Sequence, residues 1–247
     1  LWQRTMRYFP EERVADEVSF AVRRYGLKNG VLLSNDIFAD RGRLETFIEE
    51  MGRRDLRGFE WFTFTRADSV IEQADLVPEL VRLGLNFVSV GVESMDQDTL
   101  DYLKKETTPD VNLRAHRALH EGGVSVIMLC HIVGAPTHTR EKLKQIAPQF
   151  RRFGPHAFLA TPTFVPYPGT KVYPDVVRRD LIESFDYSRY ELGDAVCRTE
   201  ECSAEEVDRQ SGKLIVPHVF DPRFILAHWR TGTRTGFWFG LLGPFFV

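Results

Sequence analysis

LNFVSVGVES (85–94), DQDTLDYLKKE (96–106), PDVNLRAHRALHEGG (109–123) and VSVIMLCHIVG (124–134) follow one another in mid-chain, and their order decides the fold. The first and last are apolar, β-branched runs that end in polar or glycine residues, the pattern of buried strands. The two between them are helical, and the second stops at Gly122–Gly123. Two strands joined by a helical crossover run parallel.

The alternation continues outward in both directions. Upstream, EERVADEVSFAVRRYG (11–26) places Val14, Val18, Ala21 and Val22 on one helical stripe, with Gly26 as its stop. GVLLSND (30–36) predicts a buried strand. DRGRLETFIEEMGRR (40–54) predicts a helix with Leu44, Phe47, Ile48 and Met51 inward. FEWFTFT (59–65) alternates with period two, and SVIEQADLVPELVRLG (69–84) is helical with a break at Pro78. Downstream, TREKLKQIAPQFRRFG (139–154) predicts a helix, and HAFLATPTFVPYPGT (156–170) a strand that runs into a Pro/Gly loop. Five strands result, each preceded by a helix. After Thr170 the pattern loosens. SAEEVDRQSGKLI (203–215) predicts a helix capped by Ser203 with Glu206 in the reciprocal position, and FDPRFILAHWR (220–230) a last one. A boundary near Asp175 divides the chain into 1–174 and 175–247.

Composition narrows the function classes. The 247 residues carry 32 basic and 35 acidic side chains, a net charge of −3, which gives no electrostatic case for nucleic acid. Three cysteines argue against a secreted disulfide scaffold and for a reducing, cytoplasmic setting. The closing GFWFGLLGPFFV (236–247) is too short to span a bilayer, which takes about 20 residues. It is expected to dock on protein, with membrane-surface contact as the alternative. G-x-x-x-x-G-K-[ST], G-x-G-x-x-G and G-x-S-x-G patterns are absent, which disfavours those nucleotide-binding folds and a hydrolase elbow.

Parallel α/β sheets bind ligands at the carboxyl ends of their strands. There the chain delivers Ser34-Asn35-Asp36, Thr65-Arg66-Ala67-Asp68, Gly91-Val92-Glu93-Ser94, Gly134-Ala135-Pro136-Thr137-His138-Thr139 and Pro166–Thr170. The first four each have a plainer reading. Asp36 can cap the next helix, Arg66 can pair with Asp68, Glu93-Ser94 can cap the helix at 96, and 134–139 can be a turn with an N-cap. Together, at one edge, they point to a small-molecule site. His131, His138 and His156 have no recognised metal spacing and read as satisfied polar histidines. Trp61, Phe62 and Phe64 read as core, or as the wall of a flat hydrophobic substrate site.

VSVGVESMDQDTLDYLKKE, GVSVIMLCHIVGAPTHTREKL and TPTFVPYPGTKVYPDV, in this order, resemble the radical S-adenosylmethionine superfamily, and within it the cobalamin-binding branch of anaerobic porphyrin cyclases and B12-dependent methylases. The resemblance runs from about Pro10 to Pro174, and PRFIL (222–226) resembles the branch's C-terminal segment. It implies a partial (β/α)6, TIM-like barrel, here without its first strand, followed by a mainly helical extension. It also implies a [4Fe–4S] cluster held by a CxxxCxxC loop, S-adenosylmethionine chelated to it, a 5′-deoxyadenosyl radical, and methylation or ring closure on a small organic substrate. A flavodoxin or ferredoxin would be the reductant, and cobalamin a further cofactor of the parent protein. By position, Asn35 and Asp36 would meet the methionine ammonium, Arg66 the methionine carboxylate, Glu93 and Ser94 the ribose, and Val133, Gly134 and Pro136 the adenine.

The chain departs from the family at decisive points. It holds no CxxxCxxC; its cysteines are Cys130, Cys197 and Cys202. Cys130 reads as a buried strand residue and the other two as free thiols, so no metal ligand is assigned. Pro136-Thr137-His138-Thr139 replaces the family's acidic motif after the fifth strand, and Ser34-Asn35-Asp36 its Gly-Gly-Glu-like end. Two explanations follow. The preferred one is an enzyme fragment cut just after the cluster loop, inactive alone. The other is a non-catalytic ligand-binding or interaction domain on a degenerate barrel.

Overall fold

A computed structural model describes residues 8–54, 56–219 and 221–230. Five parallel strands, β1 (Asn29–Val31), β2 (Glu60–Arg66), β3 (Leu85–Glu93), β4 (Val126–His131) and β5 (Ala157–Ala160), form one open sheet in the order β1-β2-β3-β4-β5. The helices are α1 (Glu11–Tyr25), α2 (Arg41–Gly52), α3 (Ala67–Glu72), α4 (Val77–Arg82), α5 (Gln97–Tyr102), α6 (Pro109–Glu121), α7 (Arg140–Phe150), α8 (Tyr173–Arg178), α9 (Ala204–Val219) and α10 (Pro222–Arg230). Consecutive strand order with right-handed crossovers puts the connecting helices on one face. The opposite, inner face is left for a ligand.

The pleat of β2 sorts its residues between the two faces. Trp61, Thr63 and Thr65 are buried beneath the helices; the Trp61 ring meets Phe47 of α2 edge-on, with centroids 5.7 Å apart, and its indole N–H donates to the Leu83 carbonyl at 3.0 Å. Phe62, Phe64 and Arg66 take the inner face, opposite Phe87, Ser89 and Gly91 of β3. These in turn face Val126, Met128 and Cys130 of β4, and the last two face Phe158 and Ala160 of β5. The inner face thus grades from aromatic near the strand starts to polar at their carboxyl ends.

Some elements differ from the sequence reading. The stretch 30–36 forms only the short β1 at its start, and its apolar side chains are not buried as expected: Val31 is 53% exposed and Leu33 86%. β1 pairs with β2 alone, so its other edge lacks a neighbour among the described residues. The expected break at Pro78 appears as α3, a 3-10 turn over Ala74–Leu76, and α4 with Pro78 in its first turn. α7 contains Pro148, which cannot donate to the preceding turn, and gives way to a 3-10 turn over Arg151–Phe153. α8 lies just beyond Thr170, where the sequence pattern loosens and assigned no element.

The residues after Pro174 pack on the sheet. The Ser203–Glu206 box closes reciprocally, with Glu206 N–H donating to Ser203 Oγ at 3.3 Å and Ser203 N–H to Glu206 Oε2 at 3.0 Å, and starts α9. α9 then places Val207 against Gly134, and its Ser211 hydroxyl lies 2.9 Å from that of Thr161. Phe224 of α10 packs on Phe158 and Met128 of the inner face. Among the described residues no helix is long and apolar enough to cross a membrane. The segment 236–247 lies outside the described residues.

Candidate functional site

The carboxyl edge of the sheet brings together most of the predicted residues, each with a defined set of partners. Asp36 is buried, and its carboxylate accepts from the Thr65 hydroxyl (2.8 Å), the Ser69 hydroxyl (2.6 Å) and Arg66 N–H (3.4 Å). It therefore braces the junction of β2 and α3, while Asn35 beside it is exposed. The Arg66 guanidinium pairs with Asp68 through two bonds, Nε to Oδ1 at 3.0 Å and Nη2 to Oδ2 at 2.7 Å. Burial pushes the Asp68 carboxyl up, but the guanidinium outweighs it and holds it below its ordinary range. Nη1 of Arg66 keeps donors that no described residue takes up.

Glu93 is the strained point of this edge. Its φ is +56°, a left-handed conformation that costs a non-glycine residue roughly 1–3 kcal/mol. The ladder slips here: Gly91 faces Cys130 and Glu93 faces His131, so β3 spends two residues where β4 spends one. Ser94 N–H closes a tight turn onto the Val92 carbonyl at 2.6 Å. Asn112 of α6, fully buried, spans that turn by donating to the Val92 and Ser94 carbonyls at 3.0 Å each. The Glu93 carboxylate folds back over Gly91, with Oε1 2.9 Å from where a Gly91 Cβ would lie, and pairs with Lys105 Nζ at 2.7 Å. Oε2 has no hydrogen-bond partner among the described residues. Ser94 is buried, and its hydroxyl accepts from Asp96 N–H, the residue that caps α5.

Val133, Gly134 and Pro136 form a buried turn beside this edge. Gly134, at φ +83°, donates its N–H to His138 Nδ1 at 3.1 Å, and Val207 Cγ1 lies 2.4 Å from where a Gly134 Cβ would be. Thr137 and Thr99 share a hydroxyl contact at 2.9 Å that ties this turn to the first turn of α5.

The histidines are only partly as predicted. His138 is satisfied by Gly134. Neither ring nitrogen of His131, nor Nε2 of His116, has a partner among the described residues. Their β4 and α6 positions enclose them in apolar surroundings, and burial lowers His131 to about 3, His116 to about 4 and His138 to about 4. His156 stacks on His120 at 4.1 Å.

The cysteines are dispersed. Cys130 lies on the inner face with its Sγ 3.3 Å from Ser89 Oγ, partly exposed rather than fully buried. Cys197 sits in a satellite core with Tyr190 and Val196, where burial pushes its thiol up to about 12. Cys202 is buried in the main core with Val207. No group of three His, Cys, Asp or Glu side chains that could hold a metal occurs among the described residues. These three thiols do not fit a [4Fe–4S] cluster.

Sequence reasoning placed Gly91 at the strand end without giving it a role, and passed over Lys105 and Asn112. The Gly91-x-Glu93 spacing was the available signal for the first. The other two act across 12 and 18–20 positions, beyond what local pattern conveys.

The Radical SAM superfamily profile matches residues 2–148. The anaerobic magnesium-protoporphyrin IX monomethyl ester cyclase of Rubrivivax gelatinosus is 29% identical over 187 residues, 76% of this chain and 33% of that protein. The chain thus spans about a third of that relative's length. A radical S-adenosylmethionine methyltransferase from Kitasatospora setae superposes with a TM-score of 0.58 at 16% identity, covering 81% of this chain and 40% of that one. A cobalamin-dependent S-adenosylmethionine radical enzyme gives a TM-score of 0.55 at 16% identity over 71% of this chain and 26% of its own. These likenesses establish the fold as that of the family's TIM-like barrels, here with an open five-stranded sheet.

Proposed function

The chain belongs to the radical SAM superfamily, and from that premise we propose that its carboxyl strand edge holds S-adenosylmethionine in an enzyme that methylates or cyclises a small organic substrate. The observation that carries the reading is Glu93: a strained carboxylate with one oxygen anchored and the other free, at the position expected to meet the ribose. Carboxylates accept well from paired hydroxyls. Arg66 keeps donors for the methionine carboxylate despite its bond to Asp68. Asp36 enters the proposal as the brace of Arg66, Asn35 as the exposed polar group beside the ammonium, Ser94 as the fixed end of the Glu93 turn, and Val133, Gly134 and Pro136 as the wall beside the adenine.

Bound S-adenosylmethionine supplies the methyl and 5′-carbon chemistry on which the superfamily draws. The chain's own residues bind it, orient it and exclude water. No step runs through the three cysteines. The cluster, cobalamin and a protein reductant enter the proposal as contributions from outside these residues. Phe62, stacked on Phe87 at 4.3 Å and beside Phe64 at 4.6 Å, supports a flat, largely apolar substrate, in keeping with the porphyrin ester in the relative's name. Pro136-Thr137-His138-Thr139 in place of the family's acidic motif favours one second reading, a ligand-binding domain without radical chemistry.

Calorimetry with S-adenosylmethionine tests the site. Binding by the chain that Glu93→Gln and Arg66→Ala each weaken by about tenfold, the loss of one charge-assisted contact, is the expected result. No binding, or an affinity that both variants leave unchanged, overturns it. Anaerobic reconstitution with iron and sulfide tests the cysteines: a stoichiometric cluster on these 247 residues overturns the statement that they do not fit one.

A further inference from the structure

We propose that Lys105 is a positioning residue for the ligand site: its ammonium holds the Glu93 carboxylate over Gly91 so that the second carboxylate oxygen is presented to the ligand. This rests on the reading that Glu93 contacts S-adenosylmethionine, and it adds a residue that neither the sequence pattern nor the comparisons assign.

The argument begins at the end of α5. Lys105 N–H bonds the Leu100 carbonyl at 2.9 Å and Lys104 N–H the Asp101 carbonyl at 3.1 Å, the paired closure of a Schellman motif. Lys104 takes the left-handed position, φ +57°, that glycine usually fills. The backbone of Lys105 is therefore fixed by the helix end, not left to a loop. From there its side chain, 27% exposed, reaches the Glu93 side chain, 16% exposed, at 2.7 Å. Glu93 is the sole anionic partner of Lys105 within ion-pair distance among the described residues.

Two left-handed non-glycine residues thus flank α5, one at each side of the contact. The β3 bulge turns the Glu93 side chain back over the strand, Gly91 leaves the space for it, and Lys105 captures one oxygen there. A free glutamate side chain samples several rotamers. A captured one meets its ligand already oriented, and the ordering cost of binding falls accordingly. The pair is only partly exposed, so solvent screens it less than the surface pairs of α1 and α2.

A double-mutant cycle on the whole chain, read by calorimetry with S-adenosylmethionine, tests this. Lys105→Met is expected to weaken binding about tenfold in the wild-type background and to add nothing in the Glu93→Gln background. Lys105→Arg, which keeps the cation, is expected to restore most of the affinity. A merely structural lysine would instead give additive losses. If Glu93→Gln weakens binding while Lys105→Met does not, or if the losses add, the positioning role is refuted and the ligand reading stands. If Glu93→Gln leaves affinity unchanged, the ligand reading itself fails. Thermal melts confirm that each variant is folded, and Lys105→Gln replaces Lys105→Met in the cycle if the latter is not.

Discussion

Acidification should unfold this domain well before its carboxylates protonate. His131, His138 and His116 are 1%, 3% and 6% exposed, and burial holds them at about 3, 4 and 4 in the folded chain. In the unfolded chain a histidine titrates near 6.5. The folded values are lower, so below about pH 6.5 the unfolded state takes up protons that the folded state refuses, and stability falls as pH falls. Each group contributes a slope approaching 1.4 kcal/mol per pH unit, so three give roughly 4 kcal/mol lost between pH 7 and 5.5. That is a large share of the roughly 5–15 kcal/mol typical of a domain. Asp68, Asp96 and Asp175, all lowered, lose their contributions only below about pH 4, outside this window. Urea unfolding followed by circular dichroism at half-unit steps from pH 7.5 to 5.0 measures the loss. His131→Leu should cut it by about a third, because one of the three uncompensated protonations is gone. It should cost little at pH 7, since the ring it removes makes no hydrogen bond among the described residues. A stability that stays flat from pH 7 to 5.5, or a pH dependence that His131→Leu leaves untouched, refutes the reasoning.

Two further variants probe the backbone around the site. Gly134→Ala forces a Cβ to within 2.4 Å of Val207 Cγ1 at φ +83°, and should destabilise by about 2–4 kcal/mol in the same urea assay, with loss of the α9 contact. Lys104→Gly relieves a left-handed lysine at the end of α5 and should stabilise by about 0.5–1 kcal/mol, read as a higher melting temperature with S-adenosylmethionine affinity unchanged.

The strands were legible because hydrophobic periodicity reports which residues are covered. It does not report by what. The apolar run at 30–36 reads the same whether β1 lies inside the sheet or at its edge, and Leu33 at 86% exposed shows which. The strand-end rule located the candidate edge, and some of its plainer readings proved real as contacts: Arg66 does pair with Asp68, and Ser94 does help cap α5. Asp36 does not cap the next helix: Asp40 caps α2, and the Asp36 carboxylate turns to Thr65 and Ser69 instead. What stayed hidden was long-range. Asp36 meets Thr65 and Ser69 across some 30 positions, and nothing local foretells it. Lys105 was hidden for a different reason. Its aim depends on Lys104 adopting a conformation that the sequence LKK does not advertise, because no glycine marks the turn.

The contact between Gly134 and Val207 couples two segments distant in sequence. A methyl group at 134 would collide with α9, and a bulkier side chain at 207 would press on the turn that carries Val133 and Pro136. An engineer who exchanges the C-terminal helices for those of a relative must therefore carry the matching turn along with them. The region that marks the superfamily, residues 2–148, is therefore not the unit that can be transplanted. That unit extends at least through α9, whose side chains already fill the space the turn leaves open.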